Sequence, residues 1–136
     1  MSLENCKLMQ LPVLEDKRGS LSFVETGQHL DFDIKRNYFL YNIPGGEDRG
    51  MHAHKKLQQL LLCLSGSFEV TLDDGIDRKV FYLNKPNVAL YIGPMVWREL
   101  KNFSSGAVCS VLASHIYDSD DYIHDYRKFV LLSKQL

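Results

Sequence analysis

The chain is short of the features that would class it at a glance. Its formal net charge is -1 over 136 residues, so no whole-surface attraction draws it to nucleic acid or anionic lipid, although a local basic pocket still suits a phosphorylated ligand. No apolar run approaches the roughly 18 residues that argue for a membrane span, and residues 1–10 carry no signal-peptide hydrophobic region; a cytoplasmic protein is expected. The three cysteines, Cys6, Cys63 and Cys109, are an odd number without the close spacing of a zinc ribbon or redox motif. Cys63 and Cys109 lie inside apolar runs and read as buried thiols serving as small hydrophobes. Internal repeats, linkers and low-complexity segments are absent as well, so residues 1–136 read as one domain around one core. With 45% apolar and 24% charged residues, the composition excludes a disordered or fibrous chain.

What is there is a succession of short apolar pieces cut at fairly even spacing by Gly, Pro, Asn and Asp, the pattern of an all-β sandwich or barrel. Strands are expected over residues 20–25, 34–43, 57–64, 68–72, 79–83, 88–92 and 107–113. The run 57–64 is almost wholly apolar and suits a central strand covered on both faces. Asp73-Asp74-Gly75 signals a hairpin turn. After residue 118 the texture changes: Asp118 to Asp121 suits a helix cap, and Tyr122, Ile123, Tyr126, Phe129 and Val130 recur at near-helical spacing, predicting a C-terminal helix of about three turns. The fold class is an all-β antiparallel jelly roll with a short C-terminal helix.

The chemistry concentrates in Arg49-Gly50-Met51-His52-Ala53-His54-Lys55-Lys56. If residues 51–54 are extended, side chains alternate between faces, so His52 and His54 point together while Met51 and Ala53 point away. Two converging imidazoles suit metal ligation or proton transfer, because histidine titrates nearest neutrality.

Gly46, five residues, His52, one residue, His54, four residues, Gln59, six residues and Gly66 form a spacing that resembles the first motif of the cupins, small jelly-roll proteins. Pro94, Arg98 and Asn102 resemble the second, with the expected pair of strands between the motifs. In cupins a Glu usually stands at the position of Gln59, and a third metal histidine at that of Arg98. A guanidinium stays protonated and has no lone pair to give, and Gln59 removes an anionic ligand. Two histidines alone rarely hold a transition metal, since catalytic zinc takes three protein ligands. The residues therefore argue for no metal and for proton transfer in a cationic pocket. Fixed cations stabilise an enolate as it forms, and they push a neighbouring histidine toward its neutral, basic form.

Arg49-Gly50-x-His52-x-His54-Lys55-Lys56, Gly93-Pro94-x-Val96-Trp97, Asn102-Phe103-Ser104, Leu112-Ala113-Ser114 and Tyr117-Asp118 through Asp121-Tyr122-Ile123 together resemble the 3,4-ketoisomerases of nucleotide-linked 4-keto-6-deoxyhexoses. These are metal-free, WxcM-like cupins of deoxyamino-sugar biosynthesis. The resemblance covers the chain from about Gly19 to Tyr126. It implies no cofactor, a dTDP-linked 4-keto-6-deoxyhexose as substrate, a 3-keto product, and a homodimer that exchanges N-terminal strands. It also implies roles. His52 takes the C-3 proton to give an enediolate, and His54 relays protons. Arg49 stabilises phosphate or enediolate, with Gln59 among the substrate-binding residues. Tyr38 contacts sugar or nucleotide, or is an ordinary packed strand tyrosine. Arg18 and Arg98 stand where members differ and where the face of C-4 that receives the proton is controlled. The family often has Arg at the position of His124 and Asp at that of His115; both histidines read as solvent-exposed here, and the C-terminal segment shows little other sign of lining a pocket. A nucleotide-sugar 3,5-epimerase, a metal-dependent cupin oxygenase and a non-catalytic sugar-binding module are the alternatives.

Overall fold

A computed structural model describes residues 3–135. Twelve strands run in order: β1 (Lys7–Gln10), β2 (Val13–Asp16), β3 (Gly19–Ser22), β4 (Arg36–Leu40), β5 (Arg49–His54), β6 (Gln59–Ser65), β7 (Phe68–Asp73), β8 (Arg78–Leu83), β9 (Val88–Ile92), β10 (Trp97–Lys101), β11 (Val108–Ala113) and β12 (Tyr122–Ile123). Among the described residues there is one α-helix, α1 (Tyr126–Ser133), which follows β12. Two five-stranded antiparallel sheets, ordered β1-β9-β6-β11-β4 and β12-β5-β10-β7-β8, face one another, and β2 and β3 form a separate hairpin. This is the antiparallel jelly roll expected from the punctuation.

Each sheet sends alternate side chains to the common interior. Leu61, Cys63, Leu90, Ile92 and Val111 from the first sheet meet Val70, Leu72, Phe81, Leu83 and Leu100 from the second. The run β6 lies at the centre of its sheet, and Leu60 and Leu62, on its outer face, are covered by Leu11, Leu30 and Phe32. An uninterrupted apolar sequence is what a strand buried on both faces requires. Gly66, at φ +72°, turns β6 into β7 where a Cβ would collide with Ser104 and come within 2.9 Å of the Ala107 Cα. The turn after β7 follows from Asp73 and Asp74, whose carboxylates accept the backbone N–H groups of Gly75, Ile76 and Asp77. All three cysteines are buried, and burial pushes the Cys109 thiol up to about 12.

Four expectations need correction. The C-terminal helix spans eight residues, a little over two turns, and begins at Tyr126 with Asp125 as its cap. Tyr122 and Ile123 pair instead with the free edge of β5, which recruits an aromatic and a β-branched residue into a short strand. Asp118 caps only the single 3-10 turn Ser119–Asp121. Strands β1, β2 and β10 were not foreseen, and β7, β8 and β9 make three strands between the two cupin-like motifs where a pair was expected.

Candidate active site

The site lies between the sheets, toward the end where β5 and β4 face each other. On β5, Gly50 (φ +83°) and Met51 (φ +55°) adopt left-handed backbone, and the pairing with β10 slips there: Arg98 stands opposite His52, but Glu99 stands opposite Gly50. Met51 is thus the extra residue of a β-bulge. The bulge has a positional effect. Alternation alone would send Arg49 to the face opposite the histidines; with one residue looped out, Arg49 pairs with Leu100 and shares the inner face with His52, His54 and Arg98.

The two imidazoles meet edge to face, Nε2 to Nε2 at 3.0 Å. At the outer ends, His52 Nδ1 lies 2.7 Å from the Gly50 carbonyl oxygen and His54 Nδ1 lies 3.1 Å from Asp121 Oδ2. Asp121 also accepts the backbone N–H groups of Lys56 at 2.8 Å and Leu57 at 3.3 Å. Behind the pair sits Arg98, 3% exposed, donating to the Gln59 side-chain oxygen and to the Val96 carbonyl oxygen at 3.0 Å. Gln59 in turn donates to the Tyr38 hydroxyl at 2.9 Å. Arg36 lies over the Tyr38 ring at 5.1 Å, and both it and Arg98 keep a buried Nε without a protein partner. A buried, unpaired guanidinium N–H facing a cavity is a ready donor for a ligand acceptor.

The charge states follow. Burial, reinforced by the Arg98 charge, lowers His52 to about 4 and His54 to about 2, so both rings rest neutral at neutral pH. Burial also lowers Arg98, to about 10, which leaves it cationic. Tyr38 is raised by burial and stays a protonated donor.

A cavity of about 320 Å³ opens on this set, lined among others by Arg36, Tyr38, Arg49, His52, Gln59 and Arg98. Of the residues singled out from sequence, six therefore converge: His52, His54, Arg49, Arg98, Tyr38 and Gln59. Arg18 does not join them. It sits in the turn of the β2–β3 hairpin, its side chain 85% exposed and paired with Asp16 at 2.6 Å. His115 is exposed, with Nδ1 2.8 Å from the Ser114 hydroxyl; His124 is exposed but stacks on Tyr122 and lies 6.0 Å from the His52 ring. The C-terminal segment does line the site: Tyr122 packs at 4.4 Å from His54 and 5.0 Å from His52. Asp121, Tyr122 and Arg36 are the residues sequence reading passed over. Arg36 carried a signal, standing two residues before Tyr38 on one strand and hence on its face. Asp121 carried only its place in the Asp121-Tyr122-Ile123 stretch of the family resemblance, because an acidic run before an apolar periodicity otherwise reads as a cap.

The donor set does not suit a metal ion. The two Nε2 atoms are turned toward each other, and the position a third ligand would take holds a guanidinium; among the described residues no group of three His, Cys, Asp or Glu side chains is arranged to hold a metal ion. What the arrangement offers is a neutral imidazole pair beside a fixed buried cation, the requirements for removing a proton next to a carbonyl and holding the oxyanion that results.

Comparison with known proteins agrees. The family model described as WxcM-like, C-terminal, matches residues 4–134. A curated relative, the TDP-4-oxo-6-deoxy-alpha-D-glucose-3,4-oxoisomerase of Aneurinibacillus thermoaerophilus, is 47% identical over 127 residues, 93% of this chain and 91% of that one. A mutant of the 3,4-ketoisomerase QdtA from Thermoanaerobacterium thermosaccharolyticum, solved with TDP-4-keto-6-deoxyglucose, superposes with a TM-score of 0.95 at 41% identity, covering 98% of this chain and 97% of that one. A 3,4-ketoisomerase from Helicobacter canadensis does so at 0.93 and 42%, covering 96% and 98%. With a family model matched over residues 4–134 and relatives this similar over more than nine-tenths of their lengths, the chain belongs to the WxcM-like, C-terminal family, alongside these sugar 3,4-ketoisomerases.

Proposed function

We propose that this protein is an isomerase that moves the keto group of a dTDP-linked 4-keto-6-deoxyglucose from C-4 to C-3. The observation that carries the reading is the pair of neutral imidazoles, 3.0 Å apart at Nε2, beside the buried cation Arg98. His52, which lines the cavity, removes the proton from C-3; the electrons of the C–H bond form a C-3/C-4 double bond and the C-4 carbonyl becomes an oxyanion. Arg98 and Arg36, each with an unpaired Nε, and Tyr38 supply positive charge and donors for that enediolate. Movement of the O-3 proton to O-4, and delivery of a proton to C-4 from the histidine pair, give the 3-ketone with no net change in atoms or electrons. Arg49, brought inward by the bulge, serves the phosphates or the enediolate, and Gln59 fixes the Arg98 and Tyr38 side chains by bonding to both. Arg98 sets which face of C-4 is protonated, and Arg18, which stands outside the cavity of its own chain, shares that role only through contact of the β2–β3 hairpin with the site of a second copy.

The same reading makes the protein a cytoplasmic homodimer. The hairpin supports the second part: every residue of β2 and β3 is exposed in the single chain, including Val13, Leu14 (62%) and Leu21 (55%), an apolar ribbon a second copy would cover.

The test is incubation with dTDP-4-keto-6-deoxyglucose in deuterated water, followed by NMR of the sugar. A 3-keto product with deuterium at C-4 is expected, and His52→Asn should lower kcat about 10³-fold with ligand binding retained. A 4-keto product with inverted carbons would instead identify a 3,5-epimerase.

A further inference from the structure

The hydrogen-bond chain running through the two histidines ends at both sides on an acceptor. Gly50 contributes a carbonyl oxygen and Asp121 a carboxylate, and neither has a proton to give. Both outer contacts are satisfied only if His52 and His54 each carry their proton on Nδ1. Two neutral rings hold two protons in all, so both Nε2 atoms are then bare and face one another across 3.0 Å. That gap is a vacancy for one proton. When a third proton enters it, every contact in the chain has one proton between donor and acceptor.

Resting on the isomerase reading, we propose that Asp121 is a positioning residue for the reaction: it locks His54 in the Nδ1–H tautomer, so that the two histidines act as one base and hold the abstracted proton between their Nε2 atoms. Asp121 is itself well fixed for this. Its side chain is 14% exposed, one oxygen takes the Lys56 N–H, the other takes the Leu57 N–H together with His54, and its own backbone carbonyl accepts the Lys55 N–H at 2.9 Å. It thereby ties the loop that follows β5 to the segment that precedes β12. His54 is wholly buried, and besides Asp121 it is faced by His52, His124, Tyr122, Arg98 and Arg36. The two arginines disfavour a resting imidazolium. A proton held between the rings is tolerated only while the enediolate oxyanion stands opposite it, and the same charges then favour its return to carbon.

His54 and Asp121 also line a second cavity, of about 380 Å³, which shares Arg36 and Tyr122 with the first. The pair thus spans the wall between the cavities, with His52 on the substrate side and the His54–Asp121 contact on the other.

The experiment is a nitrogen-15 histidine spectrum of the full-length protein at pH 7.5, which reports the tautomer of each ring directly, paired with steady-state kinetics. In the wild type His54 should show Nδ1–H. In Asp121→Asn the side-chain amide meets His54 Nδ1 with an N–H, so His54 should switch to Nε2–H, kcat should fall about 10²-fold, and KM should move less than twofold. Asp121→Glu restores a carboxylate and should keep the Nδ1–H signature with partial recovery of kcat. An Nε2–H wild-type ring, or an Asp121→Asn enzyme with kcat within twofold of wild type, overturns the assignment. If Asp121→Asn does not fold, the wild-type and Asp121→Glu spectra decide. Absence of a 3-keto product with the wild-type enzyme would overturn the isomerase reading instead, whatever tautomer the spectra show.

Discussion

An imidazole serves as a base only while it is neutral, and at His52 and His54 neutrality comes from dry surroundings and the Arg98 charge together. The same shift links folding to pH. In the unfolded chain His52 takes a proton near pH 6.5, whereas in the folded protein it does so only at about 4, so between those values the unfolded state holds more protons and stability falls as pH falls. The slope from this one group is about 1.4 kcal/mol per pH unit over that window, vanishing above pH 6.5. Urea midpoints measured at pH 7.5 and 5.0 should show the loss, and His52→Asn should reduce it; equal losses in variant and wild type would show that His52 is not held neutral by the fold. The pairing of His52 with His54 was legible in the sequence, because alternation in an extended segment places i and i+2 on one face. The role of Asp121 was not, since its partner is 67 residues away in the chain and nothing local distinguishes a cap from a carboxylate aimed at a ring.

At the scale of the element, the bulge in β5 decides the composition of the site. Gly50 is required there on two counts: its φ of +83° belongs to glycine, and a Cβ would lie 3.1 Å from Leu100 Cδ1 and 3.2 Å from both the Arg98 Cγ and carbonyl oxygen. Gly50→Ala should therefore cost about 1–3 kcal/mol of stability. It should also lower kcat more than a remote substitution of equal stability cost, because the carbonyl that holds His52 and the strand that aims Arg98 move together. Thermal melts beside kinetics check this, and a fully active Gly50→Ala protein would show that the bulge is dispensable. Bulges escape sequence reading because one looped-out residue leaves the apolar pattern on either side intact. The late start of α1 has a related cause. The periodicity of Tyr122, Ile123, Tyr126 and Phe129 is real, but Ile123 and Phe129 bury against Ala53, Met95 and Trp97 from a strand and a helix respectively, so one apolar stripe serves two element types.

For the whole molecule, the two sheets bury a continuous core, and the β2–β3 hairpin stands apart from both with its apolar side chains in solvent. Light scattering should report a dimer, and Leu14→Glu combined with Leu21→Glu should shift it toward monomer while far-ultraviolet circular dichroism keeps its strand signal. A wild-type monomer at micromolar concentration would remove the dimer proposal and with it the natural role for Arg18 at the tip of that hairpin.

By itself the sequence determined the all-β class, the central place of β6, the shared face of His52 and His54, and the unsuitability of Arg98 as a metal ligand. Each of these follows from local alternation, apolar content or the chemistry of one side chain. Only the tertiary structure decided that Arg49 turns inward, that Arg36 and Tyr122 complete the cavity, that Arg18 stands away from it, and that Asp121 closes the proton chain. Those outcomes depend on strand register and on contacts between segments distant in the chain, and no periodicity along the backbone encodes which carboxylate will meet which ring.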